Sequence, residues 1–179
     1  MVASKSVRRI DIVKRVMETL KTPEVFKTIN YKNVNESKII HCQYPYLLKE
    51  VERLYEEHKN YLPETAKERA KKNLLWESNV NTIIHQVTFL GVQHRPDLVL
   101  QFEEGLKIAI EIKRGDDGKS VRDGLGQSIT YIAAGFDFAV LLMIDISKES
   151  KILHSLKGEQ EKRFIEKLWF ENNILFDII

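Results

Sequence analysis

Asp97, Glu111 and Lys113 are the residues whose types and spacing could do chemistry. Asp97 opens the apolar run "DLVLQF", and Glu111 and Lys113 close the run "LKIAIEIK". Between the runs lie Glu103, Glu104 and Gly105, a three-residue hairpin loop with glycine where the left-handed region is needed. That loop sets the register: Phe102 faces Leu106, Leu100 faces Ile108, Leu98 faces Ile110, and Asp97 faces Glu111. The other face of the hairpin pairs Gln101 with Lys107, Val99 with Ala109, and the two acids with each other. Lys113 lies on that face too, two residues beyond Glu111. Opposed carboxylates, with Cβ atoms roughly 5 Å apart, destabilise a sheet unless a raised pKa, a basic neighbour or a bound cation offsets them. Paired hard oxygens suit Mg²⁺ or Mn²⁺, which keep several waters and take further oxygens from a substrate phosphate. Lys113 would then reach both a metal-bound water and the phosphate. Small Val99 and Ala109 leave room for a helix to cover the pair.

The elements that must position this hairpin follow from apolar spacing. Ile10, Val13, Val16, Met17 and Leu20 predict a helix over 7–20. Thr22 and Pro23 read as the N-cap and first position of a short second helix. Residues 30–45 give a weak pattern in which "KIIHC" reads as a strand, and "YLLKEVERLYEEHKN" is a helix. After a break at 60–62, Pro63 opens a helix whose Ala66, Ala70 and Leu74 recur every four residues. The pattern then turns to sheet: "NTIIHQVTFLG" is a strand ending at Gly91, followed by the hairpin strands 97–102 and 106–114. A Gly-rich loop leads into a helix over about 121–134. "FAVLLMIDI" has the continuous apolar character of a strand buried on both faces. The helix "EQEKRFIEKLWFE" and the strand "NILFDII" close the chain. The order predicts an α/β fold, a three-layer sandwich around a mixed sheet. Residues 1–60 are expected as a helical annex packed on a core spanning 61–179.

Composition narrows the setting. The chain has 179 residues, 43% hydrophobic and 30% charged, enough for one domain with a real core. Its net charge of +2 gives no overall polyanion-binding signature. Residues 1–21 hold six Lys/Arg against two Asp/Glu, and Arg8, Arg9, Lys14 and Arg15 there are either a backbone-phosphate contact or a solvated face. Cys42 is the only cysteine, which excludes an internal disulfide and a Cys-rich metal site. The basic start lacks the apolar stretch of a signal peptide, and no run could span a bilayer, so a cytoplasmic protein with no membrane partner is the expectation.

"RPD" at 95–97 with "EIK" at 111–113 resembles the PD-(D/E)XK nuclease superfamily, the restriction-endonuclease-like fold. The order αβββαβ over about residues 63–146 is similar to the core of that superfamily. "QSITY" is similar to the Gln-x-x-x-Tyr carried by several of its branches. The resemblance implies an Mg²⁺- or Mn²⁺-dependent nuclease acting on DNA, with Asp97 and Glu111 on the metal. Lys113 would orient or activate water, or stabilise the pentacovalent phosphate, and Gln127 would assist near the metal or the substrate backbone. It also implies an acid on the helix before the first strand, for which Glu68 is chosen as catalytic and metal-binding, with Glu64, Glu77, Glu50 and Glu52 left open. One metal centre cuts one strand, which makes a homodimer a natural form. The alternatives are an RNA-processing nuclease and a non-catalytic nucleic-acid-binding or assembly module.

Overall fold

The computed structural model describes residues 2–76, 84, 86–89, 91–103 and 105–179, at positions 2–7 and 28 for the backbone alone. Its centre is a five-stranded sheet built from β1 (Leu74–Trp76), β4 (Leu98–Phe102), β5 (Leu106–Gly115), β6 (Phe138–Asp145) and β7 (Ile174–Ile178), in that spatial order. The β1–β4 and β4–β5 pairs are antiparallel, and β5–β6 and β6–β7 are parallel. The sheet is therefore mixed, and β5 is the strand at which the direction changes. Two short strands, β2 (Val87–Phe89) and β3 (Val92–His94), pair only with each other among the described residues.

Helices cover both faces. On one side α1 (Val2–Leu20), α3 (Glu36–Lys59) and α4 (Pro63–Asn73) pack over Ile108, Ile110, Ile112, Val140, Leu142 and Ile144. On the other, α5 (Gly118–Ala133), α6 (Lys151–Ser155) and α7 (Glu159–Asn172) pack over Ala139, Leu141, Met143, Ile174 and Phe176. Odd and even residues of β6 thus enter different layers, which is why that strand reads as one unbroken apolar run. A short α2 (Pro23–Thr28) links α1 to α3. Among the described residues no helix is long and apolar enough to cross a membrane.

The hairpin register follows the sequence expectation pair by pair, from Phe102 opposite Leu106 to Leu98 opposite Ile110. Gly105 takes the left-handed conformation, φ +75°. The structure differs from the sequence expectation at several elements. The "KIIHC" segment is not a strand, because α3 already starts at Glu36. The Asn35 side chain caps it by accepting from the Lys38 N–H at 2.9 Å. From there Ile39, Ile40, Gln43, Leu47, Val51 and Leu54 form one buried stripe, and Pro45 is tolerated on the exposed side. Leu74 does not end a helix: α4 stops at Asn73, and Leu74–Trp76 instead pairs with β4 as the first strand of the sheet. The expected strand from Asn81 to Gly91 lies partly outside the described residues. Its described part is β2, and Gly91, φ +78°, belongs to the β2–β3 turn. Thr22 does precede α2, but its hydroxyl donates to the Thr19 carbonyl at 2.6 Å and does not cap the helix.

The apolar layer holding α1 and α3 also contains Ala66, Ala70 and the β4–β6 residues. It runs across the 60/61 boundary expected between annex and core. Arg15 bridges Glu50, at 2.6 Å, and Glu57, while Arg9 pairs with Asp137 at 3.3 Å. These two basic residues of α1 are held by intramolecular acids, and Arg8 and Lys14 are exposed.

Candidate metal centre and its cleft

The β5 strand continues past the start of β4, so among the described residues Glu111 to Gly115 have a strand neighbour only in β6. Ile112 and Arg114, two residues apart, send their N–H groups to the same side. Carboxylates take both. Asp97 Oδ2 accepts from the Ile112 N–H at 2.8 Å, and Glu36 Oε1 from the Arg114 N–H at 2.8 Å. The Arg114 guanidinium donates to the carbonyls of Tyr31, at 2.9 Å, and Lys32, which ties the approach to α3 onto the same strand end.

Glu111 is 2% exposed and points into the layer under α5. Its Oε1 lies 2.8 Å from Lys113 Nζ, and its Oε2 accepts from the Tyr131 hydroxyl at 2.9 Å. Lys113 Nζ is also 3.9 Å from Glu36 Oε2. The chain can bring α5 this close because Gly124 faces Lys113 and Leu141, where a Cβ would stand 3.0–3.1 Å from their side chains. Three acids and one ammonium therefore meet where β5 overhangs β4.

Burial pushes the Asp97 carboxyl up to about 8, helped by the neighbouring Glu111 and Glu36 charges and opposed by the Ile112 N–H and by Lys113. Glu111 is raised as well, chiefly by burial, although Lys113 and Tyr131 favour its charged form. Burial works against the charge on Lys113, but Glu111, Glu36 and Asp97 outweigh it and hold the ammonium above its ordinary value. Of the three ways to offset an opposed acidic pair, two are present: a raised pKa and a basic neighbour. The third, a divalent cation, fits the donor set. Two adjoining carboxylates leave room for the waters that Mg²⁺ and Mn²⁺ retain. Among the described residues, no group of three or more His, Cys, Asp or Glu side chains is placed to hold a metal ion.

This arrangement gives stability a definite pH slope. The unfolded Asp97 titrates near 4. With a folded value of about 8, the folded chain binds the extra proton between those limits. The stability linked to this group is full below about pH 4 and is lost as pH rises through about 8. In chelator, Asp97→Asn should therefore gain on the wild type as melts are run from pH 5 to 9, each kcal/mol appearing as about 2–4 °C. Parallel curves for the two proteins would mean that Asp97 is ionised throughout.

The open side of the group is a cleft of about 700 Å³, lined by Glu36, Lys113, Arg122, Gln127, Phe89 and His94 among others. Gln127 projects from α5 into this space, one helical turn before Tyr131. Its Oε1 is buried with no hydrogen-bond partner among the described residues. The structure thus brings Asp97, Glu111, Lys113 and Gln127 together. It does not bring Glu68: that residue is exposed on α4, which packs on α3 and the β1–β4 edge, and Glu64 is exposed there too. Glu50 is engaged by Arg15 and Arg53, and Glu77 lies outside the described residues. The acid at the site is Glu36, in the first turn of α3, where the helix dipole favours an anion. The sequence carries a signal for it, an Asn N-cap one residue ahead of Glu36 and four ahead of the first buried isoleucine. His85 lies outside the described residues.

Tyr131 holds Glu111 without touching the cleft's contents. Tyr131→Phe should cut activity about 10–100-fold, as loss of a partner behind a metal ligand does. A full-rate Tyr131→Phe protein in a steady-state assay would reduce that hydrogen bond to packing.

Comparison of the chain with protein-family models, curated proteins and solved structures gave no match.

Proposed function

We propose that the protein is a divalent-metal-dependent nuclease of the PD-(D/E)XK type that hydrolyses phosphodiester bonds of DNA. The observation that carries this reading is the convergence of Asp97, Glu111 and Lys113 at the overhanging end of β5, beneath α5 and beside an open cleft. The order of elements supports it: α3 and α4, then antiparallel β1, β4 and β5, then α5 and the parallel β6, with the β2–β3 hairpin inserted between β1 and β4. This order is compatible with the αβββαβ order of a restriction-endonuclease-like core in which α3, not α4, supplies the first helix.

Asp97 and Glu111 would hold Mg²⁺ or Mn²⁺, which polarises a phosphoryl oxygen and lowers the pKa of bound water. Lys113 stays an ammonium between Glu111 and Glu36, so its part is to donate to a phosphate oxygen and spread the developing negative charge, not to take a proton. Gln127, on the cleft wall, would assist near the metal or the substrate backbone. Exposed Arg122, on the same wall, meets the incoming backbone charge. Tyr131 and the Ile112 N–H fix the two carboxylates before anything binds.

The test is incubation of the purified chain with supercoiled plasmid, single-stranded DNA and RNA, each with Mg²⁺, Mn²⁺ or EDTA. Metal-dependent DNA cleavage is the expected result. RNA cleavage alone would move the protein to RNA processing. Cleavage unchanged in EDTA, or none of any substrate, would overturn the proposal.

A further inference from the structure

The cleft has one wall that belongs to neither the sheet nor its covering helices. In the β2–β3 hairpin, Val87 pairs with His94 and Phe89 with Val92. Side chains alternate along a strand, so Val87, Phe89, Val92 and His94 share one face and Thr88 and Gln93 the other. Phe89 and His94 line the same cleft as Lys113 and Gln127. Yet Phe89 is 46% exposed and Val92 55% exposed, so this pair is not there to build a core. Across the cleft, α5 presents Gly126, where an added Cβ would meet nothing within 4 Å. The space in front of the ring is left open by both walls.

A half-exposed aromatic face beside a phosphate-handling group fits one kind of partner. In a duplex the bases hide their faces against one another and show only their edges in the grooves. A base offers its face to a protein ring without unstacking a duplex where it is unpaired. We propose that the cleft between the β2–β3 hairpin and α5 binds an unpaired DNA strand, with one base stacked on Phe89 and the adjoining backbone passing Arg122 and Lys113. This rests on the nuclease reading and narrows its substrate to single-stranded, end-frayed or flap DNA.

The test uses the full-length chain in Ca²⁺ with a short oligonucleotide carrying 2-aminopurine, whose fluorescence is quenched by stacking, offered single-stranded or as the matching duplex. Wild type and Phe89→Trp should bind the single strand and quench it. Phe89→Ala should bind about 5–150-fold more weakly, the range set by one base–aromatic stack, and should leave the fluorescence high. The duplex should bind more weakly than the single strand in all three. Phe89→Ala binding and quenching like the wild type would overturn the proposal, as would equal affinity for the duplex. Cleavage in Mg²⁺ separates the two ideas. If the wild type binds and quenches but cuts nothing, the nuclease reading falls and the strand site stands. If it cuts duplex and single strand alike, with Phe89→Ala unimpaired, the strand site falls and the nuclease reading stands.

Discussion

Glu111→Gln should abolish metal-dependent cleavage while the protein stays folded. The substitution keeps the volume of a side chain that is 2% exposed and keeps an oxygen for the Tyr131 hydroxyl. It removes the charge that pairs with Lys113 at 2.8 Å and half of the carboxylate pair. The loss should exceed the roughly 10–100-fold that removal of a supporting partner costs a metal site. Stability should change little, because the lost attraction to Lys113 is offset by no longer burying a carboxylate charge. The check is a plasmid-nicking time course beside a thermal melt. Wild-type cleavage by Glu111→Gln would sink the metal-site assignment, and a collapsed melting temperature would show that Glu111 serves the fold first.

Glu36→Gln should lower cleavage about 10–100-fold and raise the Mg²⁺ concentration needed for half-maximal rate, while Glu68→Gln behaves as wild type. Glu36 reaches the site from the first turn of α3 and stands 3.9 Å from Lys113 Nζ. Its charge helps hold Lys113 as an ammonium and adds to the field that a cation would neutralise. The amide keeps an oxygen for the Arg114 N–H, so the helix stays docked and the effect isolates the charge. Metal titrations of the cleavage rate decide the matter. The reverse outcome, with Glu68→Gln impaired and Glu36→Gln intact, would place the catalytic helix at α4.

The parts of this architecture that were legible from sequence share one property: the signal is local and doubly determined. The β4–β5 register follows from a glycine-closed loop and from apolar partners at each pair, so it carries Asp97 to Glu111 without knowledge of the rest. Gln127 and Tyr131 lie one turn apart on any helix through them. The start of α3 was harder to see because Ile39, Ile40 and Pro45 all read against a helix, and only the Asn35 cap reads for it. With α3 read as starting later, the sequence points to α4 for the helical acid, a helix away from Glu36. Leu74 fits a helical spacing and a strand equally well. The unpaired edge of β4, a partner distant in sequence, decides in favour of the strand. Phe89 carries no sequence signal at all, since an aromatic in a short apolar run is expected to be buried.

The carboxylates on the overhang of β5 have a consequence for solubility. Beyond β4, the strand shows two N–H groups on one side, at Ile112 and Arg114, the kind of unpaired edge to which a second chain can add a strand. Asp97 and Glu36 close both by accepting from them, at 2.8 Å each. A foreign strand would have to displace two acids before it could dock. Alanine at either position should therefore uncover a sticky edge, and the double substitution should drive the protein toward self-association under conditions in which Glu111→Gln remains monodisperse. The same acids that gather charge at the cleft also keep the sheet from growing into its neighbours.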